Sequence, residues 1–144
     1  FSRLNNLKIA MVGDLKNGRT ARSLCYLLAK FDDNQIFFIS PKKLKIEKDI
    51  KKYFKRKNVK YLEGHNLNNI LSHLDIVYMT RIQKERMDEK TYNQTNGIFV
   101  INKKNFKLIN KNSRVLHPLP HVEEIQLPIN VEETDPRVAY FRQA

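Results

Sequence analysis

Cysteine is almost absent from this chain, which has only Cys25 among its 144 residues. One cysteine cannot form an internal disulfide, which excludes the disulfide-stapled domains of secreted proteins and suits a reducing compartment. Leucines flank Cys25 on both sides, so we interpret it as a core thiol and not as a nucleophile. No histidines and cysteines are spaced as metal ligands, so the sequence predicts no metal and no cofactor.

Long apolar runs are also missing. No stretch approaches the roughly 20 residues that a transmembrane helix needs, so we expect no membrane span. Because the single cysteine suits a reducing compartment, we expect a cytoplasmic protein. Glycine is scarce, with four residues in all. Gly13 and Gly18 lie five positions apart, so they do not fit the G-x-G-x-x-G dinucleotide fingerprint, and no Lys-Ser or Lys-Thr follows them as in a Walker loop.

Positive charge is abundant, with a formal net charge of +12. Such an excess can indicate nucleic-acid binding. The lysines, however, concentrate in residues 42–60 and 103–111. In the first of these segments they fit the outer face of a helix whose inner face is apolar; the outer residues are Lys48, Lys51, Lys52 and Lys55, and the inner ones are Ile50, Tyr53 and Phe54. We therefore favour a solvated lysine face over a nucleic-acid site, and a non-catalytic basic binding module stays an alternative.

Apolar runs alternate with helical patterns along the chain, which predicts βαβ units and one α/β domain with a mainly parallel sheet between two helical layers. The predicted strands are 8–12, 36–39, 59–62, 75–79, 98–101 and 114–116. The predicted helices are 19–30, 47–56, 67–74, 88–92 and 103–109. Residues 120–135 show no clear period and are predicted to form a surface loop, after which Pro136 suits the first turn of a helix through Phe141.

Polar or rigid turns follow three of these strands: residues 13–20, residues 80–86 and residues 117–120. In open α/β sheets, ligands bind in the crevice at the carboxyl ends of the strands. A glycine turn before a helix can present backbone N–H groups to an anion, although it can also be only a tight turn. The three turns together predict one pocket for a small anion.

The second and third turns carry the more specific chemistry. Arg81 and Gln83 project to the same side of an extended segment, and a guanidinium can bind a carboxylate through two hydrogen bonds. Glu85 could pair with Arg81; the alternative is a surface ion-pair cluster of little energetic value. The sequence His117-Pro118-Leu119-Pro120 predicts a stiff turn whose carbonyl groups can accept substrate N–H groups.

These motifs, taken together, resemble the carboxyl-terminal, aspartate-binding domain of aspartate carbamoyltransferases over nearly the whole chain. The matching segments are 11–16, 18–20, 78–86, 117–120 and 140–144. The resemblance implies a three-layer αβα, Rossmann-like fold. It also implies an enzyme that transfers the carbamoyl group from carbamoyl phosphate to L-aspartate, giving N-carbamoyl-L-aspartate and phosphate, in de novo pyrimidine biosynthesis.

The resemblance assigns a role to each site residue. Arg19 and Thr20 would hold one carboxylate of aspartate, and Arg81 and Gln83 would hold the other. The backbone carbonyls of Pro118 and Leu119 would face the carbamoyl amide and the attacking amine, and the Leu119–Pro120 peptide would be cis. Three residues would support the site: Glu85, Arg86 and His117.

The resemblance further implies that residues 1–144 are one domain of a larger, homotrimeric enzyme. The family's carbamoyl phosphate domain, with its Ser-Thr-Arg-Thr loop, and its closing carboxyl-terminal helix have no counterpart here. We therefore expect the isolated domain to be inactive. Asn17, Arg22 and His121 depart from the family pattern, at positions where tyrosine or histidine, histidine and arginine are usual.

Ornithine carbamoyltransferase, which shares the fold, is the nearest alternative. That family typically has cysteine in the turn occupied here by residues 117–120, and it has a Ser-Met-Gly loop. This chain has neither, and its arginines suit the second carboxylate of aspartate better than the cationic tail of ornithine.

Overall fold

The computed structural model describes residues 2–95 and 98–142, and the side chains of Arg86 and Thr95 lie outside the description. The described residues contain seven strands, in chain order β1 (Lys8–Val12), β2 (Gln35–Ile39), β3 (Lys60–Gly64), β4 (Ile76–Met79), β5 (Ile101–Asn102), β6 (Arg114–Leu116) and β7 (Ile125–Gln126). Five of them form a parallel sheet in the order β3-β2-β1-β4-β6, and β5 pairs with β7 in a separate parallel ladder. The predicted parallel α/β architecture is confirmed.

Helices cover both faces of the main sheet. They are α1 (Arg19–Leu28), α2 (Lys48–Arg56), α3 (Glu89–Thr95), α4 (Lys103–Phe106) and α5 (Ile129–Thr134). Successive side chains of a strand point to opposite faces. Accordingly, Ile9 and Met11 of β1 pack with α1 and α2, whereas Ala10 and Val12 pack in a second cluster that includes Phe106 of α4. The sheet therefore lies between two apolar layers, as predicted.

The carboxyl-terminal part of the chain corrects two predictions. Residues 120–135 are not a continuous loop, because they contain β7 and α5. Residues 136–141 do not form the predicted helix. Instead, Val138 forms a parallel bridge to Val115, whose N–H donates to the carbonyl of Arg137 and whose carbonyl accepts from Ala139. The open edge of β6 offers backbone partners to this segment, and that tertiary pairing overrides the local preference of Pro136 for a helix.

The bounds of four further elements differ clearly from the prediction. In place of the strand predicted at 98–101, only the short β5 (Ile101–Asn102) forms. The carbonyl of Val100 accepts from the side-chain amide of Asn105 at 2.7 Å, so a side chain takes the place of a strand partner at this residue. Asn102 and Asn105 form a capping box that starts α4 at Lys103, and this helix stops at Phe106. The helix predicted at 67–74 contracts to one 3₁₀ turn, Leu71–His73. Helix α3 is longer than the single turn predicted at 88–92.

The predicted lysine face lies on α2. Ile50 and Phe54 are buried in the core, while Lys48, Lys52 and Lys55 are exposed. Lys51 departs from this pattern, since it is half-buried and its Nζ lies 3.0 Å from Glu63 on β3. In the part of the chain that the structure describes, no helix combines the length and the apolar character required to cross a bilayer.

Candidate substrate site

One cleft of about 380 Å³ opens at the carboxyl ends of β1, β4 and β6. These three strands are neighbours in the sheet, so the turns that follow them meet at one edge. The cleft is lined by most of the site residues predicted from the sequence: Arg19, Thr20, Arg81, Gln83, His117, Pro118 and Leu119. Arg86 cannot be placed, because its side chain lies outside the described residues.

The first turn depends on Gly13, which has a φ of +116°. A Cβ atom there would lie 2.3 Å from the carbonyl oxygen of Thr80, so only glycine fits beside β4. Asp14 is buried and accepts hydrogen bonds from the backbone N–H and the side-chain amide of Asn17. This turn leads into α1 with Arg19 and Thr20 in its first turn, where the positive end of the helix dipole also faces the cleft.

The second turn is anchored by Thr80. Its backbone N–H and its hydroxyl both donate to the carbonyl of Val12 at 2.8 Å, which joins the ends of β4 and β1. Arg81 follows, with Nη2 lying 3.4 Å from Oε1 of Glu85. The side chains of this pair are 38% and 63% exposed, so the contact contributes little energy and leaves other guanidinium N–H groups for a ligand.

Gln83 adds a feature that the sequence did not reveal. Its side-chain oxygen Oε1 is buried and has no hydrogen-bond donor among the residues that the structure describes. A buried acceptor without a donor costs about 1–3 kcal/mol, so such an atom in a cleft indicates a place for a donor on a ligand. Gln83 lies at the junction of the main cleft and a smaller pocket of about 150 Å³ behind residues 81–85.

The third turn is held by a buried histidine. Nδ1 of His117 accepts the backbone N–H of Leu119 at 2.8 Å, and Nε2 lies 2.7 Å from Oε1 of Glu124. Because Nδ1 accepts, Nε2 carries the proton and donates it to the carboxylate. Burial is the strongest influence on Glu124 and opposes its ionisation, but the hydrogen bonds from His117 and from backbone N–H groups, with the nearby imidazole, together outweigh that penalty, so the pKa of the Glu124 carboxyl lies below its ordinary value.

The same turn has a backbone geometry that the resemblance partly anticipated. The Leu119–Pro120 peptide is cis, as expected, and Leu119 has a φ of +47°. Sequence reasoning missed Glu124, because it falls in a segment without recognisable periodicity. A signal was available, since a histidine at the end of a buried strand needs a hydrogen-bond partner and Glu124 is an acidic residue seven positions later.

The three departures from the family pattern each have a partner within this chain. Asn17 bonds Asp14 inside the first turn. Arg22 of α1 forms an ion pair with Asp49 of α2, which raises the pKa of the guanidinium and lowers that of the carboxyl. Nε2 of His121 lies 2.9 Å from Oε1 of Glu132. Each of the three departures is therefore accommodated by a polar contact within this chain.

The cleft combines two guanidinium groups, an unsatisfied amide oxygen and the turn of residues 117–120. This set suits a small dianion that also carries N–H donors. Among the described residues, no three side chains of His, Cys, Asp or Glu lie close enough together to hold a metal ion.

Comparison with protein families and known structures identifies relatives. The family model described as "Aspartate/ornithine carbamoyltransferase, Asp/Orn binding domain" matches residues 5–144. Aspartate carbamoyltransferase 1, chloroplastic, of Pisum sativum is 44% identical over 146 residues, which span all of this chain and 37% of the relative. The aspartate carbamoyltransferase catalytic subunit of Buchnera aphidicola is 44% identical over 143 residues, covering 99% of this chain and 45% of the relative.

Solved structures agree with these sequence relatives. The catalytic subunit of M. jannaschii aspartate transcarbamoylase superposes with a TM-score of 0.87 at 40% identity, covering 98% of this chain and 46% of that one. Aspartate transcarbamoylase from Trypanosoma cruzi, in complex with N-(phosphonacetyl)-L-aspartic acid, gives a TM-score of 0.84 at 32% identity. The chain thus spans less than half the length of these relatives. Because the family model matches residues 5–144, the chain belongs to the aspartate/ornithine carbamoyltransferase family, in which it corresponds to the Asp/Orn binding domain.

Proposed function

We propose that this chain is the aspartate-binding half of an enzyme that transfers the carbamoyl group from carbamoyl phosphate to L-aspartate in de novo pyrimidine biosynthesis. The proposal rests on one observation above all: Arg19 and Arg81 line the same cleft, on turns from two neighbouring strands. Two cations around one cavity complement the two carboxylates of aspartate. The aspartate carbamoyltransferase names of its relatives support the same substrate.

The family resemblance assigns the roles of the site residues, and the chemistry of the cleft supports these roles. Arg19 with Thr20 binds one carboxylate, and Arg81 with the amide N–H of Gln83 binds the other. The unsatisfied oxygen of Gln83 accepts an N–H group of the bound amino acid. Glu85 restrains the guanidinium of Arg81, and Arg86 is assigned a supporting role by the family resemblance alone.

The reaction itself needs alignment more than acid–base chemistry. The amine nitrogen of aspartate attacks the carbonyl carbon of carbamoyl phosphate, and a C–N bond forms. The C–O bond to phosphate breaks, and the leaving phosphate keeps the bonding electrons and takes up the proton that the amine loses. The carbonyl groups of Pro118 and Leu119 accept N–H groups of the carbamoyl amide and of the amine. His117 holds the N–H of Leu119, so this turn keeps its shape during the reaction. Holding two reactants in line can lower the barrier by about 7–11 kcal/mol.

The carbamoyl phosphate half of the site is proposed to come from a second domain, in a homotrimeric enzyme. The relatives named above are more than twice as long as this chain, which supports a two-domain enzyme. The 144-residue chain alone is therefore expected to bind aspartate weakly and to give no turnover.

We propose a cytoplasmic location, because a single, buried cysteine suits a reducing compartment. The names of the plant relatives include the word chloroplastic.

Ornithine is the alternative acceptor, because the family description covers both amino acids. Its cationic tail would need an acidic group where this cleft has Arg81 and Gln83. The nearby carboxylates are already engaged, since Asp14 accepts hydrogen bonds from Asn17 and Glu85 is paired with Arg81. The geometry therefore favours aspartate.

The test is product formation by the enzyme that joins this chain to its carbamoyl phosphate-binding domain. With carbamoyl phosphate supplied, N-carbamoyl-L-aspartate should form with L-aspartate, and citrulline should not form with L-ornithine. Citrulline formation would select the alternative acceptor. Absence of both products in a folded, trimeric preparation would overturn the proposed function.

A further inference from the structure

His121 lies directly after the turn that presents the Pro118 and Leu119 carbonyls. Its Nε2 is 2.9 Å from Oε1 of Glu132, which belongs to α5. Its other ring nitrogen, Nδ1, is buried and has no hydrogen-bond partner among the described residues. Within the described structure, the contact with Glu132 is therefore the hydrogen bond through which the His121 ring is held.

Glu132 connects this ring to the core of the domain. The same carboxylate oxygen, Oε1, accepts the hydroxyl of Tyr140 at 2.5 Å, and Tyr140 is only 1% exposed. Burial raises the pKa of the Tyr140 hydroxyl, so that group keeps its proton and donates. The ring of His121 also packs edge-on against Tyr140, with 5.4 Å between the ring centroids. His121 is thus tied to a buried residue by a hydrogen-bond bridge and by direct packing.

The turn between the two histidines has few contacts of its own. Leu119 and Pro120 are exposed, and an open groove runs along them beside His121 and Phe141. His117 holds one end of the turn through Glu124. At the other end, the backbone N–H of Val122 donates to the same Glu124 carboxylate at 3.3 Å, and the side-chain anchor that the structure describes there is His121 with Glu132. The position of the turn therefore depends on both pairs.

We propose that His121 is a positioning residue for carbamoyl transfer, acting through Glu132 to hold the carbonyl groups of Pro118 and Leu119 in line with the reacting atoms. This inference rests on the proposed function of the same turn. The proposal also assigns a role to α5, because Glu132 of α5 supplies the carboxylate that accepts the hydrogen bond from His121. His121 does not line the main cleft, so its effect is on alignment and not on aspartate binding.

The test uses a matched pair of substitutions in the complete enzyme. His121→Gln keeps an N–H donor at about the reach of Nε2, whereas His121→Asn is one methylene shorter and cannot reach Glu132. Because a displacement of about 1 Å can cost roughly 100-fold in rate, we expect His121→Asn to lower kcat by about 10- to 100-fold. The KM for aspartate should stay within about twofold, since Arg19 and Arg81 are unaffected, and His121→Gln should recover most of kcat.

Variants of Glu132 and of its neighbour Glu133 provide a second test of the proposal. Glu132→Ala should lower kcat at least as much as His121→Asn does, because it also removes the acceptor of the Tyr140 hydroxyl. The double variant should be no worse than Glu132→Ala alone, because His121 acts through Glu132. Glu133→Ala, an exposed change one position along α5, should leave kcat unchanged. Equal kcat for His121→Asn and wild type, or losses that follow only the folded fraction measured by circular dichroism, would overturn the proposal.

Crystal structures of the two His121 variants separate this proposal from the proposed function. The Pro118–Leu119 carbonyls should move in His121→Asn and keep their positions in His121→Gln. If wild-type enzyme forms no carbamoyl aspartate, the proposed function fails while this structural comparison still decides whether His121 holds the turn. An unmoved turn in His121→Asn would contradict the positioning role.

Discussion

Nδ1 of His117 accepts the backbone N–H of Leu119 at 2.8 Å, within a turn where Leu119 has a φ of +47°. The contact joins a buried side chain to the exposed peptide that we assign to substrate binding. On its other side, the same ring donates to Glu124. A chain of two hydrogen bonds therefore runs from a buried carboxylate to the backbone of the substrate site.

Glu124 should make the stability of the domain depend on pH in the acid range. An unfolded glutamate has a pKa of about 4.3, and the folded value is lower. The stabilisation is therefore present above about pH 4.3 and is lost as the pH falls through the lowered folded pKa. Urea unfolding of wild type and Glu124→Gln across this range should show a shallower acid decline for the variant. Identical declines in both proteins would contradict the assignment.

Arg19→Ala and Arg81→Ala should each impair the complete enzyme. Removing one partner of a desolvated charge pair costs roughly 2–5 kcal/mol. This corresponds to a loss of about 30- to several-thousand-fold in aspartate-dependent kcat/KM. Steady-state kinetics with varied aspartate would measure it.

Lys55→Ala is the matched control for the arginine variants, because Lys55 is an exposed cation on α2, away from the cleft. Lys51 is less suitable, since it is paired with Glu63. Near-normal kcat/KM for either arginine variant, or a large loss for Lys55→Ala, would overturn the site assignment.

Gly13→Ala should destabilise the fold more than Gly64→Ala does. At Gly13 a methyl group would meet the backbone oxygen of Thr80 at 2.3 Å, with φ at +116°. At Gly64 it would meet only the flexible end of Ile39 at 3.2 Å. Strain of this kind costs about 1–3 kcal/mol before the clash is added. Chemical denaturation should show a loss of at least about 2 kcal/mol for Gly13→Ala, and equal losses in the two variants would be evidence against this geometry.

Cys25 should resist alkylation in the folded protein. Burial raises the pKa of its thiol to about 12, so the reactive thiolate is scarce at neutral and mildly alkaline pH. Iodoacetamide labelling followed by mass spectrometry should show little modification under native conditions and full modification in denaturant. Rapid labelling of native protein would indicate an accessible thiol instead of a core residue.

Much of the central sheet could be predicted from the sequence, because its strands are short apolar runs between helical patterns. β1 and β6 were predicted with the bounds that the structure shows. The predictions failed beyond Pro120, where β7 and α5 are short and their local patterns weak. Val138 illustrates the reason: its bridge to Val115 lies across the fold, and nothing in the sequence next to Pro136 encodes that partner.

The sequence by itself determined the kind of chemistry at each strand end, since a guanidinium, an amide or a proline carbonyl has the same bonding capacity wherever it is placed. It also determined which runs could be buried as strands, because that depends on local apolar content. Only the tertiary structure decided which partners those groups meet. Glu124 reaches His117, Glu132 reaches His121, and Gln83 keeps a buried oxygen without a described donor. These contacts join separate elements, and their geometry follows from the packing of the whole domain.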